Sequence, residues 1–280
     1  MNSILRLIKK LLKSIIPFWL GVKIRGWWQI IMSWYYYGNK QHCPYCQKNF
    51  RTFLPGGEKH DIIPRLDIIG AGFRKNMLCP RCYSTDRDRL VYLYFNSKSD
   101  IFTHNIKILH IAPEGSLKAW LSKKASIHYQ LGDKYAEGYT DYYYSREIPE
   151  MDLTQLPFED NRFDIFICNH VLEHVEDDRQ ALKEIYRTMK PGGFAILQVP
   201  IGHRLEETYE DNSITSPAGR AEHFGQFDHV RIYGLDYKQR LIEAGFRVEA
   251  LLPESLGTDL QIQQLAINTR ETLYTVHKPF

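Results

Sequence analysis

Four cysteines in two closely spaced pairs are the residues of this 280-residue chain with the clearest chemistry. Cys43 and Cys46 form one Cys-x-x-Cys pair, and Cys79 and Cys82 form the second, with 32 residues between them. Each pair places two thiolates on one tight turn, and two such turns supply the four sulfur ligands of a tetrahedral zinc ion. Because the protein then fills every position around the metal, the zinc is predicted to be structural rather than catalytic. The fifth cysteine, Cys168, lies in an apolar run, so metal binding in a reducing compartment is favoured over disulfides.

Three segments between Met151 and Pro200 carry the second chemical signal. They are Met-Asp-Leu-Thr-Gln-Leu-Pro-Phe at 151–158, Phe-Asp-Ile-Phe-Ile-Cys-Asn-His-Val-Leu-Glu-His-Val at 163–175, and Leu-Lys-Glu-Ile-Tyr-Arg-Thr-Met-Lys-Pro-Gly-Gly-Phe at 182–194. In order and spacing these segments resemble the class I S-adenosylmethionine-dependent methyltransferases with a type 11 methyltransferase domain. With its cysteine pairs and an Ala-Pro-Glu turn, the chain after residue 40 also resembles a bacterial subgroup with an N-terminal four-cysteine zinc module.

The resemblance implies which residues hold S-adenosylmethionine. Asp133 is expected to accept hydrogen bonds from both ribose hydroxyls, and Asp152 to contact the adenine amino group, with the backbone of Leu153 beside it. Asn169 is expected to face the methyl-bearing sulfonium, and His170, the next residue, belongs to the same set.

The first cofactor-binding turn departs from the family pattern. Where the family has an acid followed by Gly-x-Gly-x-Gly, this chain has Leu-His-Ile-Ala-Pro-Glu-Gly-Ser at 109–116. His110 stands at the usual acid, Ala112 is a small replacement, and only Gly115 remains of the glycines. Glycine allows close approach of the backbone, so the methionine end of the cofactor is expected to be held differently. Glu114 is the predicted carboxylate partner of the cofactor's ammonium group.

Methyl transfer is an in-line displacement that depends mainly on positioning, and a base is needed only when the acceptor must lose a proton. Ionisable and aromatic residues are concentrated at 224–233. Within that segment His229 is the predicted base, with a hydrogen-bonded structural role as the alternative, and Arg231 is predicted to orient an anionic acceptor. A second alternative uses His170, Glu173 and His174, which occupy positions where some quinone-pathway O-methyltransferases resemble a divalent-metal site. Those enzymes have an acid at the position of His170.

These residues must be positioned by alternating strands and helices, a pattern that indicates a parallel sheet. Strands are predicted at 106–111, 127–131, 163–169, 194–199, 246–251 and 272–277, and helices at 91–95, 116–123, 177–189 and 236–244. The predicted fold is α/β and Rossmann-like, a mostly parallel sheet with an antiparallel last strand and helices on both faces. A basic and aromatic segment (1–40), a four-cysteine zinc module with a linker helix (41–100) and the methyltransferase domain (101–280) are the predicted divisions.

The N-terminal segment differs in charge from the rest of the chain. Residues 1–57 contain nine Lys or Arg and no Asp or Glu, whereas the rest contains 27 bases and 33 acids. Apolar residues recur at helical spacing between Ile4 and Ile16, and residues 18–37 hold four of the five tryptophans. A basic amphipathic helix followed by aromatic residues is typical of a membrane surface. Residues 1–37 are therefore predicted to bind the inner face of the cytoplasmic membrane in a cytoplasmic protein, with packing on the catalytic domain as the alternative.

The identity of the methyl acceptor is left open by these patterns. The leading hypothesis is a small-molecule or lipid- or glycan-linked acceptor at the membrane surface. An RNA methyltransferase is the main alternative, although the excess of acids after residue 57 makes nucleic acid a less favoured partner. A non-catalytic zinc adaptor that retains the fold is the third hypothesis.

Overall fold

The computed structural model describes residues 18–135 and 148–280. The amphipathic helix predicted between Ile4 and Ile16 lies outside the described residues.

The first part of the described chain consists of one long helix and several short strands. Helix α1 spans Phe18–Tyr35, and it is followed by β1 (Tyr37–Cys43), β2 (Lys48–Phe50), β3 (Leu54–Gly56), α2 (Ile62–Arg65), β4 (Ile68–Ile69), β5 (Arg74–Leu78) and α3 (Asp86–Ser97). Strand β1 pairs antiparallel with β2, and β3 pairs antiparallel with β5. Helix α3 contains the predicted linker helix and begins at a capping box, in which Thr85 and Asp88 each accept a hydrogen bond from the other's backbone N–H.

The larger part of the chain alternates strands with helices, as predicted. After a 3₁₀ turn at Ser99–Thr103 come β6 (Ile106–Ile111), α4 (Gly115–Leu121), β7 (Ile127–Gly132), β8 (Phe163–Cys168), a 3₁₀ turn (Leu172–His174), α5 (Asp178–Thr188), β9 (Met189–Ile196), β10 (Ile201–Gly202), β11 (Tyr209–Glu210), α6 (Pro217–Phe224), β12 (Arg231–Ile232), α7 (Tyr237–Glu243), β13 (Arg247–Leu251), a 3₁₀ turn (Pro253–Ser255), α8 (Asp259–Leu265) and β14 (Leu273–His277).

Six of these strands form one sheet in the order β13-β14-β9-β8-β6-β7. Strands β6, β7, β8 and β9 are parallel, and β14 runs antiparallel to both of its neighbours, β9 and β13. The predicted fold class, a Rossmann-like methyltransferase fold with an antiparallel last strand, is confirmed.

Helices cover both faces of the sheet because the central strands are apolar on both sides. Along β8, Phe166 and Cys168 join the core beneath α5 and α7, whereas Ile165 and Ile167 join the core beneath α3, α4 and α8. Successive side chains of a strand point to opposite faces, so an uninterrupted apolar run indicates a strand that is buried twice.

The boundary predicted between α5 and β9 was wrong. The helix predicted for 177–189 ends at Thr188, and β9 begins at Met189 rather than at Phe194. Met189 has extended backbone angles (φ −75°, ψ 142°), and Lys190 precedes Pro191, a position at which the helical conformation is disfavoured. The strand therefore starts five residues earlier than its apolar run.

The two cysteine turns and the strands between them, residues 41–84, are called the cysteine module below. Its strand β4 pairs antiparallel with β10, with Ile68 opposite Gly202 and Ile69 opposite Ile201. The backbone N–H of His203 extends this contact by donating to the carbonyl oxygen of Asp67 at 3.2 Å. The module is thus joined to the chain immediately after the carboxyl end of β9.

Arg89 connects the cysteine module to the C-terminal part of the chain through buried hydrogen bonds. Its side chain is fully buried, with the guanidinium 4.2 Å from the ring centre of Phe53. It donates to backbone carbonyl oxygens of the module and of the end of α8, namely those of Asn76 (3.2 Å), Met77 (3.1 Å), Ser84 (2.7 Å), Leu265 and Ala266 (3.5 Å). One planar group thus satisfies carbonyls from two separate segments.

Substitution Arg89→Met is expected to lower the free energy of unfolding by about 3 kcal/mol or more, because several buried carbonyl oxygens would lose their donor. Urea unfolding followed by circular dichroism measures the change. Arg247→Met is the control, since that side chain is 71% exposed, and its effect should stay within about 0.5 kcal/mol. Equal stability of the two variants would contradict the role assigned to Arg89.

Candidate cofactor and acceptor site

The carboxyl ends of β6, β7 and β8 meet at one edge of the sheet, which is where ligands bind in open parallel sheets. Strand β6 is followed by Ala112 with φ 48°, and β8 is followed by Asn169 and by His170 with φ 54°. These left-handed conformations are uncommon outside glycine, and at each of the two positions they turn the backbone sharply away from the sheet. The predicted cofactor residues that follow the three strands therefore lie at the same edge.

A hydrogen-bonded chain of side chains connects the turn after β6 with the turn after β8. Nε2 of His110 lies 2.8 Å from one carboxylate oxygen of Glu114, and the side-chain amide of Asn169 donates to the other oxygen at 3.0 Å. On its far side, Nδ1 of His110 lies 2.7 Å from the hydroxyl of Tyr129. His110 is fully buried, so it lies behind Glu114 and positions that carboxylate. A direct contact of His110 with the cofactor stays a prediction, and its contact with Glu114 is compatible with an indirect role.

Glu114 has the charge that a positively charged ligand group requires. Burial opposes ionisation of its carboxyl, but hydrogen bonds from His110 and Asn169 outweigh burial and lower its pKa. Glu114 also lies at the start of α4, where Gly115 is the first helical residue. Ala112 and Gly115 accordingly shape a turn that presents an anion, and the contact of Glu114 with the cofactor's ammonium group stays a prediction.

Asp133 follows β7, where its backbone forms a parallel bridge with Glu150. Burial raises the pKa of its carboxyl to about 6, partly offset by a hydrogen bond from the backbone N–H of Lys134. An acid at the end of this strand is where folds of this type bind ribose hydroxyls. The position fits the predicted ribose contact.

The carboxylate of Asp152 is held by its neighbours. One oxygen accepts from the backbone N–H and the hydroxyl of Thr154, at 2.8 and 2.7 Å, and the other accepts from Lys134 at 2.7 Å. Partial burial opposes ionisation, but the hydrogen bonds from Lys134 and Thr154 lower its pKa to about 2. The side chain of Leu153 is buried in the core. The adenine contact predicted for Asp152 and the Leu153 backbone stays a prediction.

Several buried polar atoms near this edge have no hydrogen-bond partner among the described residues. They are Oδ1 of Asn169, both ring nitrogens of His170, both amide atoms of Gln198, Oε2 of Glu271 and Nε of Arg87. Gln198 lies beyond β9, and Glu271 lies just before β14, the antiparallel neighbour of β9. Buried polar groups are almost always paired with protein or water, so this set indicates a place where a ligand or ordered water binds. We call the residues that carry these atoms the polar chamber.

Gly70 of the cysteine module forms one wall of the polar chamber. A β-carbon at Gly70 would lie 2.9 Å from Oε1 of Glu271, 3.3 Å from Cα of Pro200 and 3.5 Å from Cε1 of His170. The backbone has φ +89°, and its carbonyl oxygen accepts from Nη1 of Arg87 at 2.7 Å. Glycine is therefore required at position 70 by the backbone conformation. It is also required by the close approach of the cysteine module to Glu271, Pro200 and His170.

Glu271, Gln198, Arg87 and Gly70 were missed by the sequence analysis. None belongs to a recognisable motif, and they come from four separate segments of the chain. Burial raises the pKa of Glu271 to about 7, the Arg87 charge acting in the opposite direction. A carboxyl that titrates near neutral pH in a buried site is a candidate functional group.

His229 lies at a second cluster, beside the 3₁₀ turn after β8. Its Nδ1 lies 3.2 Å from the carbonyl oxygen of Phe224, and its ring packs edge-on against His174 with centroids 4.7 Å apart. Burial lowers the pKa of His229 to about 4, so the ring is neutral at physiological pH. The role of His229 as base stays a prediction, and the contact with Phe224 is compatible with the structural alternative.

Arg231, the predicted orienting residue for an anionic acceptor, is bonded to the turn after β8. The side chain is buried, and its guanidinium donates to Oε2 of Glu210 at 2.8 Å. It also donates to the backbone carbonyl oxygens of Leu172 (2.9 Å), Val175 and Glu176 (2.8 Å). These bonds use almost all of its donors, so Arg231 fixes the turn after β8. Its orientation of an anionic acceptor stays a prediction.

The four cysteines of the module come together as the spacing predicts. Their sulfur atoms lie within 4.8 Å of one another, with Cys43 and Cys82 3.5 Å apart and Cys46 and Cys79 3.7 Å apart. A tetrahedral zinc ion with bonds of about 2.3 Å sets its sulfur ligands roughly 3.8 Å apart. The residues after the second cysteines, Gln47 and Tyr83, both have left-handed backbones (φ 55° and 58°), which gives the two turns the same shape. The donor set fits structural zinc.

Comparison with known proteins relates part of the chain to methyltransferases. Residues 132–197 match the methyltransferase-domain family. A probable S-adenosylmethionine-dependent methyltransferase of Mycolicibacterium smegmatis is 28% identical over 114 residues, which cover 41% of this chain and 40% of the relative. The mitochondrial 2-methoxy-6-polyprenyl-1,4-benzoquinol methylase of Bos taurus is 36% identical over 64 residues, 21% of this chain and 19% of the relative. A solved S-adenosylmethionine-dependent methyltransferase of Mesorhizobium loti covers 65% of this chain and 94% of its own, with 16% identity and a TM-score of 0.41.

The chain thus spans well under half of the length of either curated relative. The family match begins at Gly132, after the divergent turn at 112–115, and it includes Asp133, Asp152 and Asn169. The comparisons support a class I S-adenosylmethionine-dependent methyltransferase in general.

Proposed function

We propose that this protein transfers a methyl group from S-adenosylmethionine to an acceptor that enters the polar chamber. The observation that carries the proposal is the group of unpaired buried polar atoms on His170, Gln198 and Glu271. These atoms lie next to Asn169, whose side-chain oxygen Oδ1 is also unpaired, at the edge where the predicted cofactor residues meet. A cofactor edge next to buried polar groups that need partners meets the requirement for positioning two reactants in line.

The residues at the edge fit the two ends of the cofactor. Glu114 would bind the ammonium group, and Asp133 would accept the ribose hydroxyls. When bound, S-adenosylmethionine supplies an electrophilic methyl group on a good leaving group. What remains for the protein is to exclude water and to hold the acceptor atom on the methyl axis.

Glu271 is the proposed base for an acceptor that must lose a proton. Its pKa of about 7 matches neutral pH, which is the condition for efficient proton transfer. Arg87 supplies a positive charge to the same chamber, since it reaches Gly70. We therefore expect a protic acceptor, for example a hydroxyl group of a small molecule or of a lipid- or glycan-linked compound.

Substitution Glu271→Gln tests this assignment, because it keeps the shape of the side chain and removes its basicity. We expect transfer to fall about 100-fold or more, in the range typical of general-base removal, while S-adenosylmethionine affinity changes less than about twofold. Calorimetry gives the affinity, and radiolabel transfer to acceptor in membrane extract gives the rate. Glu254→Gln, at an exposed position, is the control. Wild-type transfer by Glu271→Gln would contradict the proposal.

The membrane surface is the proposed location of the acceptor. Helix α1 is 18 residues long and exposes apolar side chains along its length, including Trp27 (70% exposed), Trp28 (53%), Ile31 (56%) and Trp34 (80%). Aromatic side chains of this kind bind at the headgroup level of a bilayer. Within residues 18–135 and 148–280, no helix has the length and apolarity needed to cross a membrane. We propose that α1 lies in the interface of the cytoplasmic membrane.

Replacement of Trp27, Trp28 and Trp34 by Ala in the full chain is expected to lower binding to vesicles of anionic and zwitterionic lipid by about tenfold or more, since the apolar area that enters the interface is lost. Cosedimentation measures bound protein. Leu260→Ala removes an exposed apolar side chain (63% exposed) from α8 and should leave binding unchanged. Vesicle binding of the triple variant at the wild-type level would exclude α1 as the anchor.

Labelling of cell fractions distinguishes this function from its alternatives. Purified enzyme and radiolabelled S-adenosylmethionine are incubated with lipid, RNA and soluble fractions of a lysate. Label in the lipid or soluble fraction supports the proposal, whereas label in RNA would replace it with an RNA methyltransferase. Failure of the pure protein to bind S-adenosylmethionine would indicate the zinc adaptor.

A further inference from the structure

A second group of metal-binding side chains lies beside the polar chamber, apart from the four cysteines. Glu173, His174 and His229 bring one donor atom each to within 4.8 Å of one another. Glu173 and His174 belong to the 3₁₀ turn after β8, whereas His229 comes from the loop between α6 and β12. The backbone N–H of Val230 donates to the carbonyl oxygen of Glu173 at 2.9 Å. The loop is thereby held against the turn, so the three side chains are positioned by backbone contacts.

Both imidazoles are oriented by acceptors at one nitrogen. Nδ1 of His229 lies 3.2 Å from the carbonyl oxygen of Phe224, and a carbonyl oxygen only accepts, so Nδ1 carries the proton. Nδ1 of His174 lies 3.3 Å from Oδ2 of Asp228. An acceptor at Nδ1 leaves the lone pair on Nε2, which is the usual arrangement around a metal-binding histidine.

Glu173 supplies a carboxylate oxygen that has no partner among the described residues. The residue is only 2% exposed, and its Oε2 has no hydrogen bond within that part of the chain. Its Oε1 lies 3.3 Å from Nδ1 of His170, without the geometry of a regular hydrogen bond. Burial of an unpaired carboxylate oxygen costs free energy, and coordination of a metal ion is one of the few interactions that offset this cost.

We propose that Glu173, His174 and His229 bind a divalent first-row transition-metal ion, with Asp228 and the Phe224 carbonyl orienting the two histidines. Two imidazoles and one carboxylate suit such ions and leave coordination positions open to a further ligand. Metal binding itself is independent of the function proposed above. Any action of the ion on the acceptor rests on that function. It would reach the acceptor through His170, whose Nδ1 lies 3.3 Å from Oε1 of Glu173.

Titration of the zinc-loaded full-length protein with Mn²⁺, followed by electron paramagnetic resonance, tests the site. Mn²⁺ prefers oxygen and nitrogen ligands over thiolates, so it should report this cluster and leave the cysteines undisturbed. We expect one equivalent of bound Mn²⁺ in the wild type. Asp228→Asn should weaken binding about 10- to 100-fold, the range typical of residues that orient ligands, and Glu173→Gln and His229→Gln should weaken it further.

His128→Ala is the matched control, because His128 is exposed on β7 outside the cluster, and it should bind Mn²⁺ like the wild type. Calorimetric binding of S-adenosylmethionine shows which variants remain folded, since no proposed metal ligand is a proposed cofactor contact. Absence of a Mn²⁺ site in the zinc-loaded wild type would overturn the proposal whatever the variants do. Undiminished binding by a folded His229→Gln variant would overturn it as well. Metal binding with no effect of Mn²⁺ on methyl transfer would support the site and exclude its action on the acceptor.

Discussion

Replacement of Cys79 by Ser is expected to remove one of the four predicted zinc ligands, to prevent zinc binding and to unfold the cysteine module. The hydrophobic cluster around the cysteines is small, consisting of Phe50 and Phe53 with Cys43 and Cys79 themselves. In isolated zinc fingers the metal contributes an apparent binding free energy of about 10–16 kcal/mol, far more than such a cluster provides. We therefore expect loss of bound zinc, a lower melting temperature, and rapid proteolysis within residues 41–84. Elemental analysis, calorimetry and limited proteolysis measure the three effects.

Cys168→Ala is the matched control for this prediction. Cys168 is equally buried, but it lies in strand β8, away from the four cysteines of the module. The control should keep its zinc. It should lose only the small contribution that one buried sulfur atom makes to the free energy of unfolding. A Cys79→Ser variant that retained both zinc and proteolytic resistance would show that the four thiolates are not the metal site.

Loss of the predicted zinc should also affect the polar chamber, because the module packs against the residues of the chamber. Strand β4 pairs with β10, and Gly70 abuts Glu271 and His170. The Glu114 and Asp133 side chains lie at the edge formed by β6, β7 and β8 instead. Methyl transfer by Cys79→Ser should therefore fall much more than S-adenosylmethionine affinity. Equal losses of the two would indicate that the module supports the whole domain rather than the chamber.

The sheet was predictable from the sequence because its central strands are buried on both faces. Residues 106–111 and 163–168 are mostly apolar, with two polar residues in the first segment and one in the second, and short apolar segments of this kind between polar ones indicate strands of a parallel sheet. The zinc turns were predictable for a different reason. Two Cys-x-x-Cys pairs need no tertiary information to show that four thiolates are available to one ion.

The polar chamber was not predictable, since its residues meet only through tertiary contacts. Strands β4 and β10 are two residues long, which is too short for a periodic pattern. Glu271 is one acid in an exposed-looking stretch, and only the pairing of β14 with β9 places it beside Gln198. His229 was recognised as a chemical residue from its neighbours, but its approach to Glu173 depends on a loop that the sequence does not position.

Asp133→Ala is expected to weaken binding of S-adenosylmethionine by about 100-fold or more at pH 7.5. A carboxylate that accepts both ribose hydroxyls forms two hydrogen bonds to a charged group, and each contributes about 1.5–3 kcal/mol. Calorimetric titration measures the affinity. Glu159→Ala, which removes an exposed acid from the same domain, should leave it unchanged. Wild-type affinity in Asp133→Ala would exclude Asp133 from the cofactor site.

The pH dependence of binding provides a second test of Asp133. Burial raises the pKa of its carboxyl to about 6, and the hydroxyl donors of the ribose favour the ionised form. The affinity for S-adenosylmethionine should therefore be highest well above pH 6. It should fall as the pH decreases through 6, because binding must then displace a proton from the Asp133 carboxyl. Asp133→Asn has no such proton, so the ratio of wild-type to Asn affinity should shrink steadily between pH 7.5 and pH 5. A ratio that stayed constant over this range would show that another group gives the wild type its advantage.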